Sequence, residues 1–324
     1  MTPADAVAAL ERVAARDVGR GSAALSRRTA GALRRAADSL LAEPTPEVAI
    51  LTGCYIPTAH PPAAETDGPL GAIQLAAAIG RLGGAARLVT DEPCAPVVAA
   101  AIDTAGLTTA GSATAGLEAA GLIAAGPEAA GLKVPLDVAP LAGYDGWQAA
   151  TLAGYPELTH VISCERVGPA ADGVPHDMRG VDLGAHSAPL DRLYGAGPWY
   201  RIGIGDGGNE LGMGVLATGL VAAAVDRGAE IHCVTGCEAL IVAGTSNWGA
   251  AALVGALAVL ADDREPLIEL LSPDWSRAVL DGIVGRAGAV DGVRRTASPS
   301  VDGLDWPAYA EPLAEIERIV RLTG

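Results

Sequence analysis

Along this chain, short apolar runs ending in glycine or polar residues alternate with longer stretches whose apolar positions recur at helical spacing. Residues 47–53, 86–90, 159–163, 200–204, 230–234 and 239–243 read as strands, and residues 69–82, 96–104 and 248–260 read as helices. Ahead of this region, residues 3–43 mix apolar positions with Arg and Asp at helical spacing and are closed by Pro44 and Pro46. Behind it, the chain from Arg264 onward reads as helical with a proline-containing loop. Strands alternating with helices predict an α/β fold, a mostly parallel sheet with helices on both faces. We expect one catalytic domain over 1–324: a helical N-terminal segment (1–45), an α/β core (46–262) and a helical C-terminal cap (263–324). Residues 105–132 repeat Ala-Gly-Leu without clear periodicity and carry no usable chemistry.

Ligands of open parallel sheets bind beyond the carboxyl ends of the strands. Asp91, Glu165, Arg166, Asp206, Asn209, Ser246 and Asn247 gather at those predicted ends. Loops are polar in any protein, which accounts for part of the pattern. The densest stretch is 200–214, an apolar strand running into glycines that hold Asp206, Asn209 and Glu210. Glycine permits positive φ and a close approach of backbone to ligand. Residues 64–71, Ala-Glu-Thr-Asp-Gly-Pro-Leu-Gly, have the same character.

Composition narrows the reading. Half the residues are hydrophobic, so a sizeable core is available, but there is no Phe and Trp and Tyr number 5 and 6. Ala, Leu, Val and Gly must therefore fill the interior by close backbone packing. Acids outnumber bases 38 to 22 and the net charge is −16, which leaves no basic footprint for nucleic acid. An anionic substrate would have to meet particular arginines or helix N-termini. The single lysine, Lys133, sits in a bland Gly-Leu-Lys-Val context, which argues against Schiff-base chemistry. The 5 cysteines form no C-x-x-C pair, no histidines have H-x-x-x-H spacing, and nothing completes a site with Cys233 and Cys237. The N-terminus shows no apolar signal region, and no stretch of about 18 residues has membrane character. The chain reads as soluble and cytoplasmic. Its expected partner is a small molecule, without nucleic acid or membrane, and the sequence is compatible with a homo-oligomer.

Several motifs have two readings. Gly203-Ile-Gly-Asp-Gly-Gly208 formally fits G-x-G-x-x-G, but Asp206 would repel a pyrophosphate and no acid stands at the expected spacing. Glu65 and Asp67, just before Gly68-Pro69, are either charges complementing a helix N-terminus or a general base or metal ligand aimed into the strand-end crevice. Glu165-Arg166 is either a surface ion pair or a guanidinium offered to a carboxylate, and Arg179 is a similar case. Cys54 and Cys164 are either ordinary buried cysteines or the acid and base of a cofactor-independent amino-acid racemase. An amino-acid-binding module without turnover is the non-enzymatic alternative.

Thr52-Gly-Cys, Glu65-Thr-Asp-Gly-Pro, Glu165-Arg-Val-Gly-Pro-Ala-Ala-Asp-Gly173, Met178-Arg-Gly-Val-Asp182 and the run 203–214 resemble the D-glutamate cyclase family. So do Leu240-Ile-Val-Ala-Gly-Thr-Ser-Asn-Trp-Gly249, Gly288-Ala-Val-Asp-Gly292 and Val301-Asp-Gly303, and the likeness runs from Asp17 to the end. The chain is similar to the catalytic region at the C-terminal end of the longer animal mitochondrial enzymes. It departs from the family pattern at Val174-Pro-His, Thr245 and Gly236-Cys237, which bear on substrate identity more than on reaction type.

The resemblance implies a hydro-lyase that closes D-glutamate to 5-oxo-D-proline and water, with another lactam-forming or lactam-hydrolysing enzyme on a small amino acid as the alternative of related chemistry. On this reading Glu65, Asp67, Asp206 and Glu210 are the catalytic candidates. One of the first three accepts the ammonium proton, and Glu210 donates to the departing oxygen. Thr66, Gly68, Glu165, Arg166, Asp172, Arg179, Gly207, Gly208, Asn209, Ser246 and Asn247 make up the substrate-binding set. Within it, Arg166, Arg179 and the N–H groups of Gly207 and Gly208 are expected to hold carboxylate oxygens, with Ser246 and Asn247 completing the orientation. No organic cofactor is called for. A divalent metal on Asp67 and Asp206 is the alternative means of polarising the carboxylate.

Overall fold

The computed structural model describes residues 1–108, 131–155, 157–261 and 264–323, so the predicted Ala-Gly-Leu segment lies largely outside the described residues. The central sheet is built from β1 (Glu47–Thr52), β4 (Ala85–Asp91), β5 (Leu136–Ala139), β6 (His160–Cys164), β7 (Tyr200–Gly205) and β8 (Ala239–Val242). These strands are all parallel and lie in the order β5-β4-β1-β6-β7-β8. A small antiparallel hairpin, β2 (Tyr55–Ile56) with β3 (Ala63–Ala64), stands apart from them. The chain builds outward from β1 to β5, then returns to lay β6, β7 and β8 on the other side. Its direction of growth reverses between β1 and β6, whose last residues, Thr52 and Cys164, are paired. A crevice opens beyond the carboxyl ends at such a reversal.

Period-two alternation along the strands separates two cores. Val48 and Ile50 of β1 enter the larger core, with α1 (Pro3–Ala14), α3 (Ala32–Ala42), α4 (Pro69–Arg81), α5 (Ala95–Thr104) and α10 (Ser246–Leu260). The terminal helices α11 (Glu265–Ile268), α12 (Pro273–Ala287) and α13 (Trp306–Leu322) join the same core, which draws side chains from Ala6 to Val320. Ala49 and Leu51 enter the second core, with α2 (Ser22–Ser26), α6 (Tyr144–Ala153), α7 (Leu190–Tyr194) and α8 (Thr218–Ala224). The predicted α/β fold with helices on both faces is therefore present. Small residues fill the Phe-free interior as expected. A Cβ on Gly71 of α4 would lie 2.6 Å from that of Ala250 on α10, so these helices touch backbone to backbone.

Three local expectations change. Residues 230–234 are not a strand: α9 (Gly228–Ile231) is a short helix, and Cys233 and Val234 donate to the carbonyls of Gly208 and Pro169 instead of joining the sheet. β5 and the hairpin went unread because runs of four and two residues are too short for periodicity. The N-terminal segment is three helices, interrupted at Gly21 and Gly31, which adopt φ of +90° and +83°. The loop after α1 crosses the carboxyl end of β8, where the Gly244 N–H donates to Ala14 O at 2.8 Å. Among the described residues no helix is long and apolar enough to cross a membrane.

Candidate active site

A cavity of about 530 Å3 opens beyond β1, β6 and β7, with Glu65, Glu165, Asp206 and Asp302 in its wall beside Arg20. Each acid reaches it by a different local device. Glu65 follows β3 and is held by its N–H on Cys54 O at 2.9 Å. Glu165 is the first residue past β6 and takes a left-handed φ of +50°, uncommon for a residue with a Cβ; its carboxylate accepts the Ser246 hydroxyl. Gly68 must be glycine here, because at φ +92° a Cβ would stand 2.7 Å from that of Glu165. Asp206 follows β7. Asp302, with φ +54°, rides on a loop organised by buried Asp291, whose oxygens accept the N–H groups of Val293, Arg294 and Gly303 and the Ser300 hydroxyl.

Beneath the wall lies Asp67, which is 1% exposed. It complements a helix N-terminus, as one of the two readings held, but the helix is α10 rather than the adjacent α4: Ser246 and Asn247 donate their N–H groups to it at 2.8 and 2.9 Å. Asn247 ties the same turn from its side chain, accepting from Gly68 and Gly71 and donating to Thr66 O. Thr66 is fully buried and donates to Ser300 O. Thr66, Gly68, Ser246 and Asn247 thus brace the acids.

The cluster is electrostatically loaded. Burial pushes the carboxyls of Glu65, Asp67, Glu165 and Asp206 well above the usual carboxylate range. Asp302 and Asp67 push Glu65 further up, and Asp206 and Glu210 do the same to Glu165. One cation opposes this. Arg20 Nη2 lies 2.5 Å from Asp206 and 2.8 Å from Asp302, and donates to Gly244 O at 3.1 Å. Asp206 is accordingly the acid most directly drawn back toward its ionised form, whereas Glu65 has two carboxylates as its strongest charged neighbours. Asp67, Glu165 and Asp206 each offer an oxygen within 4.8 Å of the others, a spacing that fits a divalent cation. Arg20 already brings positive charge to that place.

The structure redistributes several expected roles. Glu210 is fully buried and spends its carboxylate on the N–H groups of Asp206, Gly207 and Gly208 at 2.6, 2.6 and 2.7 Å. It is the clasp of the glycine loop, and it leaves neither a proton donor at Glu210 nor free amides at Gly207 and Gly208. Arg166 is also buried, on Asp91 at 2.6 Å and the carbonyls of Gly53 and Ala188, outside the cavity lining. It clamps the end of β1 and offers nothing to a substrate carboxylate. Asp172 is exposed away from the cavity, accepting from Val174 N and His176. Asn209 and Arg179 do line the cavity; Asn209 donates to His176 O, and Arg179 donates to Gly292 O and Val293 O. Of the two cysteines of the racemase reading only Cys54 reaches the lining. Cys164 is buried with Sγ 3.6 Å from Gly68 O.

Sequence reading missed Arg20 and Asp302 as site members. Asp302 lies inside the Val301-Asp-Gly303 motif, so a signal was present. Arg20 carried none: it stands between two glycines in a helical-looking segment, 186 residues from Asp206.

A doubly wound α/β sheet with a carboxylate-walled crevice at its point of reversal is thus the class that fold and site define. The family described as "D-glutamate cyclase-like, C-terminal" matches residues 10–317, and the chain belongs to it. It is 26% identical over 307 residues to the human protein "D-glutamate cyclase, mitochondrial", a match covering 85% of this chain and 46% of the human one. The chain therefore spans about half the length of that curated relative.

Proposed function

We propose that the site catalyses dehydrative closure of D-glutamate to 5-oxo-D-proline, as a hydro-lyase of cytoplasmic location. The observation that carries this is the uneven distribution of charge around the cavity: Arg20 bonds Asp206 and Asp302, while Glu65 is flanked by acids. Environments that separate the proton affinities of neighbouring carboxyls create an acid and a base in one site. The reaction needs both. The amine forms a bond to the γ-carboxyl carbon, one γ-oxygen leaves as water, and two protons pass from nitrogen to that oxygen. Asp206 takes the ammonium proton, freeing the nitrogen lone pair. Glu65 gives its proton to the γ-carboxylate, takes the second nitrogen proton once the C–N bond has formed, and passes it to the departing hydroxyl, which leaves as water. The proton held by Asp206 then returns to Glu65 and restores both groups. Glu165 and Asp302 complete a wall that attracts the ammonium, and holding nitrogen against the γ-carbon supplies several kcal/mol by orientation. The family membership and the human relative's name support the same reading.

Incubation of the purified protein with D-glutamate, L-glutamate and both 5-oxoproline enantiomers, followed by chiral chromatography, tests it. Conversion of D-glutamate to 5-oxo-D-proline is expected; absence of conversion in either direction rejects the proposal.

A further inference from the structure

Three guanidiniums line the cavity: Arg20, Arg179 and Arg227. Arg20 is engaged by Asp206 and Asp302, and Arg227 by Glu230 at 2.6 Å. Arg179 alone of the three has no carboxylate within ion-pairing distance among the described residues; its contacts are the carbonyls of Gly292 and Val293, at 3.2 and 3.0 Å. Among the described residues it is the cavity-lining guanidinium whose charge is not already spent on an acid. We propose that Arg179 receives the α-carboxylate of substrate and product, so that the site selects amino acids bearing a free α-carboxylate beside the reacting nitrogen.

The position of Arg179 is fixed in advance. Asp177 Oδ1 accepts the N–H groups of Arg179 and Val181, closing the turn that carries the guanidinium. Gly180 completes the turn at φ +77°, where a Cβ would come within 2.5 Å of Arg227 Nε, so Arg227 packs directly onto it. The peptide of Gly292 connects Arg179 to the acids: its carbonyl accepts from Arg179, and the Glu65 carboxyl lies against its α-carbon. The guanidinium and the reacting end of the site are thus separated by one residue of wall.

Reaction chemistry selects which carboxylate goes there. Closure consumes the amine and the γ-carboxylate, so both must face Asp206 and Glu65. The α-carboxylate passes unchanged into the product, and the acids of the wall repel it. Arg179 can accept it by charge-assisted hydrogen bonds while the future ring atoms lie on the acids. This assignment rests on the proposed cyclisation and adds to it an orientation and a substrate class.

The test pairs a protein change with a substrate change. D-Glutamate and its α-amide are assayed with wild type, Arg179→Gln and Arg179→Lys, with melting temperatures as the check on folding. Wild type is expected to prefer D-glutamate by about 100-fold in kcat/KM, the range of a lost charge-assisted contact. Arg179→Gln is expected to lose a similar factor on D-glutamate, mostly through KM, and at least about tenfold less on the α-amide, whose carbonyl accepts only an uncharged hydrogen bond. Arg179→Lys should recover part of the loss. Equal turnover of the two substrates by wild type overturns the assignment, as does an equal loss on both in Arg179→Gln. Should Arg179→Gln not fold, the wild-type comparison and Arg179→Lys decide. If wild type turns over neither compound, the cyclase reading fails separately; calorimetric affinity for D-glutamate against the α-amide then tests Arg179, and equal affinities overturn the assignment.

Discussion

At the scale of single residues, the site is a set of carboxyls held against their preference for water. Glu65 shows the consequence for stability. Its folded-state pKa is raised by burial and by Asp302 and Asp67, so the unfolded chain releases the proton first as pH rises. Below the unfolded value of about 4.3 both states are protonated and Glu65 contributes nothing to a pH slope. Above it, stability falls until the folded value is passed. Glu65→Gln should therefore raise the melting temperature above that of wild type at pH 8, with little change at pH 4. A variant that is less stable than wild type at pH 8 would show that the burden has been misplaced. Asp206→Asn keeps the shape but removes the proposed base, and turnover is expected to drop by at least about 100-fold with an unchanged circular dichroism spectrum. Wild-type turnover would remove Asp206 from the mechanism. Glu65, Asp67, Glu165 and Asp206 were legible, because carboxylates among glycines at strand ends are hard to explain as packing; Asp302 was not picked out. The division of labour among the acids was not legible. Glu210 and Asp206 look alike in sequence, and only the three backbone N–H groups pointing at Glu210 distinguish a loop clasp from a cavity wall. Arg166 was equally opaque, since its partner Asp91 ends a different strand.

At the scale of elements, the long helices and most of the strands could be read from periodicity, while the short pieces that finish the site could not. The run 230–234 has the composition of a strand, yet it lies against the glycine loop, burying Ile231 and Cys233 without a ladder and leaving Val234 exposed. The loop after α1 was hidden inside a helical pattern, though Gly19 and Gly21 flank the residue that matters. α4 carries the turn that bears Asp67, and α10 supplies the two N–H groups that hold it. Gly71 and Ala250 set the distance between these helices. Gly71→Leu should lower the urea midpoint by the equivalent of about 3 kcal/mol through overpacking and should reduce turnover by displacing Asp67. Unchanged urea denaturation would mean the helices can separate freely.

At the scale of the whole molecule, the order of strands explains why segments so far apart in sequence meet. The reversal between β1 and β6 places the ends of both strands side by side, and the loops after β3, β6 and β7 deliver Glu65, Glu165 and Asp206 to one place. The N-terminal and C-terminal segments close over it, bringing Arg20 and Asp302. Alternation of strands and helices made the sheet legible; convergence of the two ends of the chain was invisible, because no local pattern records which loops meet. Since Arg20 supplies positive charge between Asp206 and Asp302, turnover is expected to survive chelation and removal of divalent metal. Loss of activity that added Mg2+ or Mn2+ restores would give the cation role to a metal on Asp67, Glu165 and Asp206 instead. The central claim, that this crevice joins the amine to the γ-carboxyl carbon and expels water, is tested most directly by mass spectrometry of the product from D-glutamate labelled with 18O at both γ-oxygens, in D2O. The account predicts 5-oxo-D-proline that retains one 18O and carries protium at the α-carbon. Retention of both labels, deuterium at the α-carbon, or no product would contradict it.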